Sequence, residues 1–168
     1  MEEIVSVEKV TRSFPLNHDR TRNLVSALNG VSLRVEAGEF LAIAGPSGSG
    51  KTTLLNLIGC IDQPTSGRVL IDGVDTSRLS PGSLTELRRE KIGFVFQTFN
   101  LIPVFTAAEN VEFPLLIQGL SSGERRERTD PDRAPIHAPR DPRFGSRVEL
   151  VFHFHSSPQQ KDFLRIAR

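Results

Sequence analysis

The stretch GPSGSGKTT, at residues 45–53, decides how this chain is interpreted. It follows the largely apolar run EFLAIA at residues 39–44, and it precedes leucines and an isoleucine at helical spacing between Leu54 and Ile58. Strand, glycine-rich loop and helix in this order turn the pattern G-x-x-x-x-G-K-[ST] into a predicted phosphate-binding loop. The alternative, a plain glycine-rich turn, would match all four fixed positions only rarely by chance.

The loop has the chemistry that a nucleoside triphosphate needs. Glycines let successive backbone N–H groups turn inward into an anion-binding nest, and the helix that follows adds its positive N-terminal end. Lys51 is expected to reach the β- and γ-phosphates, and the Thr52 hydroxyl is expected to bind Mg²⁺. The predicted nucleotide-binding residues of the loop are Gly45, Pro46, Ser47, Gly48, Ser49, Gly50, Lys51, Thr52 and Thr53.

Composition excludes several other classes of protein. The chain has 168 residues, 38% of them hydrophobic and 24% charged, which is typical of one soluble globular domain. A net charge of +1 gives no electrostatic footprint for nucleic acid. No apolar run is long enough to span a bilayer, and the acidic start MEE is unlike a signal peptide, so we expect a cytoplasmic chain without direct membrane insertion. The single cysteine, Cys60, is expected to be a small buried hydrophobe.

Periodicity predicts the surrounding elements. Period-two or continuous apolar patterns predict strands, and helical spacing with Pro81 near a first turn predicts a helix. The expected strands are at 4–10, 24–28, 31–35, 68–71 and 92–96, and the expected helices are at 51–61, 76–90, 107–119 and from 121 onward. The dipeptide Asn29-Gly30 predicts a hairpin turn between the second and third of these strands, and Asp72-Gly73 predicts a turn after the fourth.

From Thr129 onward the character of the sequence changes. Residues 129–142 are rich in Arg, Pro and Asp and show no period, which is typical of segments that form no packed element. Alternating apolar residues from Val148 to Phe154 then predict one short strand. His153 and His155 have the spacing of metal ligands on one face of a strand. Because no third ligand accompanies them, we expect solvent-facing histidines instead.

Several further motifs carry a family resemblance. The stretch VSALNGVSL at 25–33 and AGE at 37–39 precede the phosphate loop, and PTSG at 64–67 follows its helix. IGFVFQTFNLIP at 92–103 and TAAENVEFPL at 106–115 come next. With these motifs, residues 4 to about 128 closely resemble the nucleotide-binding subunits of ABC transporters, in particular the class that serves lipoprotein release and macrolide export.

The resemblance implies two further site residues. Gln97 resembles the family's Q-loop glutamine, whose amide oxygen would reach Mg²⁺ or the attacking water, so Gln97 and Lys51 are the candidate catalytic residues and Thr52 and Gln97 the candidate metal ligands. Phe14 resembles the aromatic residue that stacks on adenine, and a ring face needs no hydroxyl for stacking. An ordinary loop glutamine and an ordinary core phenylalanine are the alternatives.

The resemblance also implies the architecture and the partners. The expected fold class is α/β: a P-loop NTPase core of ABC type, with a mixed sheet around the phosphate-loop helix, an antiparallel β subdomain and the start of a helical subdomain. The expected divisions are the ATPase core at 1–98, the start of the helical subdomain at 99–128, and an irregular segment with one short strand at 129–168. Expected partners are a transmembrane permease and a second nucleotide-binding subunit, which place the chain on the inner face of the plasma membrane.

Motifs that the family uses for hydrolysis are not legible. No apolar strand after Gln97 ends in Asp-Glu, and LSSGE at 120–124 comes too soon to be the signature loop, so it predicts the start of a charged helix instead. SSPQQ at 156–160 with residues 166–168 only faintly echoes the signature and its following helix. The leading function is therefore an ATP-hydrolysing transporter subunit, and the rival is an ATP-binding fragment without turnover. A small-molecule or nucleotide kinase is disfavoured by the motifs at 97–115.

The abrupt change near Thr129 suggests its own hypothesis. A shifted reading frame or a truncated gene model would replace family sequence with an unrelated Arg/Pro-rich segment. Translation of the coding DNA in the other two frames tests this, since one of them must then contain a signature loop followed by an apolar strand that ends in Asp-Glu.

Overall fold

The computed structural model describes residues 3–15, 24–96, 100–130, 147–152 and 161–167. The chain divides into two compact units. The first contains Met1–Gln97 together with Phe144–Arg168, and the second contains Thr98–Arg143. In the described part of the chain, no helix is both long enough and apolar enough to cross a membrane.

The first unit contains a four-stranded antiparallel sheet with the order β2-β1-β4-β5. Its strands are β1 (Glu3–Pro15), β2 (Leu24–Glu36), β4 (Ser66–Ile71) and β5 (Val74–Asp75). The turn from β4 to β5 uses Asp72 and Gly73, with φ angles of 50° and 76°, as the Asp-Gly pair predicts. A short 3₁₀ turn at Thr76–Arg78 follows β5.

The predicted hairpin at Asn29-Gly30 is wrong. One continuous strand, β2, runs through both residues and pairs along its length with β1. Between the pairs Val10–Val31 and Arg12–Leu28, two residue steps of β1 face three of β2, so β2 carries one extra residue there. Gly30 has a φ of 69°, and its left-handed backbone therefore serves a β-bulge. The same dipeptide suits both structures, and only the pairing with β1 distinguishes them.

A second sheet in this unit has the order β3-β8-β7-β6. Its strands are β3 (Phe40–Ala44), β6 (Ile92–Phe96), β7 (Arg147–Phe152) and β8 (Lys161–Ala167). Strand β8 is antiparallel to both neighbours, whereas β6 and β7 are parallel. The sheet is therefore mixed, as expected, and β3, β6 and β7 run in the same direction. The carboxyl ends of β3 and β6 consequently lie at the same edge of the sheet.

The described part of the segment 129–168 contains two strands where one was expected. Strand β7 corresponds to the predicted strand, although it ends at Phe152, before the two histidines, which lie outside the described residues. Strand β8 was not predicted, and Ile166, in the segment that faintly echoes the helix after the signature, lies in this strand. Its sequence has no clean alternation, but the edges of β3 and β7 offer unpaired backbone groups that fix it as a strand.

The core of the first unit is built around helix α1 (Lys51–Ile58), which lies against β1, β2 and β4. Four of its eight residues are apolar and buried, namely Leu54, Leu55, Leu57 and Ile58. The helix ends three residues earlier than predicted, and a turn at Gly59 and Cys60 follows it.

Helix α2 (Pro81–Lys91) leads into β6. Its N-cap is Ser80, whose side-chain oxygen accepts a hydrogen bond from Ser83 N. Pro81 lies in the first turn as predicted, but the helix begins at Pro81 and not at residue 76 as expected. Leu84 and Leu87 face the core, and Arg88, one turn after Leu84, donates a hydrogen bond to the backbone carbonyl of buried Cys60.

The second unit contains helices α3 (Ala107–Ile117) and α4 (Ser122–Thr129). Both begin with a capping box: Thr106 exchanges hydrogen bonds with Glu109, and Ser121 does so with Glu124. LSSGE therefore starts a charged helix, as the sequence predicted. The backbone N–H of Thr106 is the main reason that the pKa of Glu109 is lowered.

Candidate functional site

The predicted loop lies between strand β3 and helix α1. Ser49 N donates to Pro46 O at 3.2 Å, which closes a tight turn, and Gly48 and Gly50 have φ angles of 79° and 87°. These left-handed conformations are open to glycine and costly for residues with a Cβ atom. Residues 46–49 are exposed. The glycines of the motif thus shape a surface loop whose backbone is free to face a ligand.

Gly50 also allows the loop to approach the antiparallel sheet. A Cβ atom at this position would lie 2.4 Å from Ala27 O and 2.9 Å from the side chain of Leu28, both in β2. A Cβ atom at Gly45 would similarly lie 2.9 Å from Ser49 Oγ. The Gly50 contact is with backbone, which cannot rotate away, so the glycine is required by packing as well as by its φ angle.

The first turn of α1 is available for an anion. Its N-cap is Gly50, so no side chain caps the helix, and the first intrahelical bond runs from Leu54 N to Gly50 O at 2.9 Å. Thr52 and Thr53, both half-buried, belong to this turn. The backbone N–H groups at the start of a helix have no intrahelical acceptors and carry the positive end of the dipole. They form a binding site for phosphate oxygens.

Lys51 brings a cation into the loop. Its Nζ donates to Gly45 O at 3.0 Å and to Pro46 O at 3.1 Å, and the residue is only 8% exposed. Two neutral carbonyls do not neutralise an ammonium group. The ammonium is therefore held inside the curve of the loop, where a phosphate can replace a carbonyl as its acceptor.

The described residues offer few protein ligands for a metal ion. No group of three or more His, Cys, Asp or Glu side chains within the described ranges could hold a metal ion. The Thr52 hydroxyl, one residue beyond Lys51, is a hard oxygen donor of the kind that Mg²⁺ prefers. A magnesium ion at this position would take most of its remaining ligands from phosphates and water, which is its usual mode of binding.

Phe14 lies near the end of β1 and is 38% exposed. It pairs with Val25 on β2, and Ala27, whose carbonyl Gly50 approaches, is two residues further along that strand. Two residues of strand span roughly 7 Å. The exposed ring of Phe14 and the phosphate loop therefore lie beside neighbouring positions of strand β2.

Gln97 lies outside the described residues. The described part of β6 ends at Phe96, directly before it.

Two residues beside Phe14 were missed from the sequence. The Arg12 guanidinium lies over the ring, 4.6 Å from its centroid, and makes two hydrogen bonds to Asp62, each 2.8 Å long. Fifty positions separate Arg12 from Asp62, and no local pattern could have indicated that they pair. The only available signal was the presence of an arginine two residues before the candidate aromatic.

Strand, phosphate loop, helix and flanking antiparallel sheet together define a P-loop nucleotide-binding fold of the ABC type. Comparison with a family model described as ABC transporter matches residues 28–163. The chain belongs to the ABC transporter family, and the expected fold class is confirmed.

Individual relatives support the assignment to the ABC transporter family. An uncharacterised ABC transporter ATP-binding protein of Methanocaldococcus jannaschii, MJ0796, is 48% identical over 127 residues, which are 74% of this chain and 52% of that protein. The macrolide export ATP-binding/permease protein MacB of Brucella abortus is 55% identical over 125 residues, 74% of this chain and 19% of that protein. The chain thus spans about half the length of the first relative and a smaller share of the second.

A solved structure agrees with the fold. The dimeric post-hydrolysis state of the MJ0796 ATP-binding cassette, bound to ADP and Pi, matches with a TM-score of 0.67 and 48% identity. The match covers 75% of this chain and 54% of that one.

Proposed function

We propose that this chain binds ATP and Mg²⁺ at the phosphate loop and acts as the nucleotide-binding subunit of an ABC transporter. The observation that carries the proposal is the position of Lys51, whose ammonium is held by two loop carbonyls next to the uncapped start of α1. Cation, glycine-rich backbone and helix dipole all favour a polyphosphate at the same place. Family membership and the ADP and Pi bound to the similar cassette support the choice of an adenine nucleotide.

A nucleotide titration tests the binding step. Lys51→Ala is expected to weaken ATP binding about 10- to 100-fold, since hydrogen bonds to charged groups contribute about 1.5–3 kcal/mol. Lys91→Ala is the matched control, because it removes the same charge from a lysine that is paired with Asp72. Isothermal titration calorimetry of the three chains gives the affinities. Equal ATP affinity in all three would contradict the proposal.

For the metal, we infer that Thr52 and Gln97 supply protein oxygens. Bound Mg²⁺ would neutralise charge on the β- and γ-phosphates. The inference for Gln97 is supported by the topology of the described strands: β6 runs in the same direction as β3, so the end of β6 at Phe96 and the start of the phosphate loop share one edge of the sheet. Thr52→Ala is expected to reduce the gain in ATP affinity that Mg²⁺ provides, with metal-free ATP affinity unchanged.

We further propose ATP hydrolysis, with Lys51 and Gln97 as the catalytic residues. Lys51 would stabilise charge on the transferred phosphoryl group, and Gln97 would orient the attacking water. The rival is binding without turnover, because no Walker B, signature or histidine motif is legible in the sequence.

Steady-state phosphate release separates hydrolysis from its rival. Turnover that Lys51→Ala and Gln97→Ala abolish, and Lys91→Ala retains, is the result expected for an ATPase. Tight ATP binding with no phosphate release would establish the rival.

The proposed partners are a transmembrane permease and a second nucleotide-binding subunit. The MacB name joins ATP-binding and permease functions, and the similar cassette is described as dimeric. Among described side chains of the second unit, Leu101, Val104 and Val111 are 62%, 86% and 58% exposed, which suits an apolar docking surface. A permease would hold the chain at the inner face of the plasma membrane.

We also propose the division of the chain into an ATPase core at 1–98, the start of a helical subdomain at 99–128, and an atypical segment at 129–168. The helices of the second unit support the middle boundary. Strands β7 and β8 belong to the same compact unit as the core, so the last segment would complete the mixed sheet. Limited proteolysis tests this, since cleavage near residues 98 and 129 is then expected before cleavage within 147–167.

A further inference from the structure

Phe14 has a cation over one face of its ring and is still partly exposed. The guanidinium of Arg12 lies over one face, 4.6 Å from the ring centroid, within the range of a cation–π contact. The side chain of Phe14 is nevertheless partly exposed, with 38% of the residue accessible. One face is therefore occupied by the protein itself, and any base that stacks on Phe14 must use the other.

Arg12 is itself held in place. Its Nε and Nη2 donate to the two carboxylate oxygens of Asp62, each at 2.8 Å, which is the planar two-bond geometry that restricts a guanidinium most. The two side chains are 24% and 30% exposed, so solvent only partly screens the pair. Asp62 also accepts a hydrogen bond from Gln63 N.

Asp62 is attached in turn to the phosphate-loop helix. Its backbone N–H donates to Asn56 O in α1, at 3.2 Å, and Ile61 N donates to the same carbonyl at 2.9 Å. A continuous chain of contacts therefore runs from α1, whose first turn follows the loop, through Asp62 and Arg12 to the ring of Phe14.

We propose that Arg12 is a positioning residue for the nucleotide base: locked by Asp62, it holds the Phe14 ring at a fixed orientation relative to α1 and leaves one face for adenine. This rests on the proposed ATP binding and on the resemblance of Phe14 to the aromatic residue that stacks on adenine. Preorganisation of the ring lowers the cost of binding, because the ring need not be ordered when the nucleotide arrives. The role is confined to the base, so the phosphate contacts are independent of it.

Comparison of ATP with inorganic tripolyphosphate, which has the phosphates and no base, tests the proposal. Phe14→Leu is expected to weaken ATP binding roughly 5- to 150-fold, the range for loss of one base–aromatic stack. Arg12→Met is expected to weaken it about 2- to 10-fold. Neither substitution changes tripolyphosphate affinity, and Phe14→Tyr, which keeps the ring, retains ATP affinity.

A double substitution separates positioning from general structure. If Arg12 acts through the ring, Arg12→Met adds no further loss of ATP affinity in a Phe14→Leu chain. Asp62→Asn is expected to reproduce the Arg12→Met effect on ATP. Thermal denaturation of each variant establishes that it is folded at the temperature of the titration.

Three outcomes overturn the proposal. Arg12→Met weakens ATP and tripolyphosphate equally, or leaves ATP affinity unchanged, or adds its full effect in the Phe14→Leu chain. If Phe14→Leu leaves ATP affinity unchanged, the stacking of Phe14 on the base is contradicted as well. None of these bears on the phosphate site, which fails only if Lys51→Ala leaves both ligands bound as tightly as before.

Discussion

The antiparallel sheet and strand β3 of the mixed sheet differ in how their side chains are buried. Strands β1, β2 and β4 of the antiparallel sheet contribute half of the buried core residues in the described part of the chain, including Val5, Val35 and Ile71, which are 0% exposed. In β3 of the mixed sheet no side chain is buried: exposed and half-buried residues alternate. The helix that carries the phosphate site is therefore anchored to the antiparallel sheet more firmly than to the strand that delivers the loop.

The antiparallel sheet supports the phosphate loop more than the strand before it does. The loop leaves β3, but Gly50 presses against Ala27 in β2, and α1 lies against β1, β2 and β4. Each of the following changes is expected to reveal whether stability and binding geometry depend on the antiparallel sheet, on the mixed sheet or on the contacts that join them.

The largest effect is expected from a pair of variants, each with one isoleucine replaced by alanine, one in each sheet. Ile71→Ala in β4 removes a fully buried side chain and is expected to lower the free energy of unfolding by about 2–5 kcal/mol. Ile43→Ala in β3 removes a half-buried one, so we expect about 1–2 kcal/mol. Urea denaturation measures both. Equal losses would mean that the two sheets support the core to the same extent.

A second pair tests the contact between loop and sheet. Gly50→Ala introduces both a left-handed strain and an overlap with Ala27 O, for an expected loss of about 2–4 kcal/mol. Gly48→Ala introduces the strain alone, because nothing lies within 4 Å of its Cβ position, so the loss is about 1–2 kcal/mol. Thermal denaturation compares them. The close approach is unimportant if Gly48→Ala costs as much.

The single cysteine reports on the core at the end of α1. Cys60 is 1% exposed, and burial raises its pKa from 9.0 to about 11, a rise that nearby Arg88 partly opposes. At about pH 8 the folded chain therefore has roughly a hundredfold less thiolate than the unfolded chain, and alkylation should be slower by at least that factor. Ile71→Ala is expected to accelerate labelling more than Ile43→Ala does.

The same shift makes stability depend on pH. Because the folded-state pKa of Cys60 is the higher one, the unfolded chain loses its proton first, and this contribution to stability is lost as the pH rises from about 9 to about 11. Cys60→Ala removes the dependence. If the Cys60→Ala variant loses the same amount of stability over this pH range, the pH dependence belongs to other titratable groups.

The smallest effect is expected at an ion pair between the turn after β4 and the end of α2. Lys91 Nζ lies 2.6 Å from Asp72 Oδ2, but both side chains are about 30% exposed, and solvent screens such pairs. Lys91→Ala is expected to cost less than about 1 kcal/mol and to cost still less at high salt. A loss above about 2 kcal/mol in urea denaturation would show that this pair joins the sheets more strongly than solvent-screened pairs do.

Local chemistry made some elements predictable. Pro81 at a helix start, the Asp-Gly turn after β4 and the apolar run of β6 were read from a few neighbouring residues, and each was confirmed. The hairpin prediction at Asn29-Gly30 was wrong because the dipeptide permits a left-handed backbone conformation, which occurs both in hairpin turns and in β-bulges. Strand β8 was not predicted, because pairing with the edges of β3 and β7, rather than its own sequence pattern, makes it a strand.

The phosphate loop is predictable from local sequence, because glycine conformation, helix start and lysine reach all depend on residues 45–53 and their immediate neighbours. The surroundings of the loop depend on tertiary packing. The pairing of Arg12 with Asp62, the approach of Gly50 to Ala27 and the insertion of β8 join residues from 23 to more than 100 positions apart. Contacts of that kind depend on how the elements pack, and no local pattern specifies them.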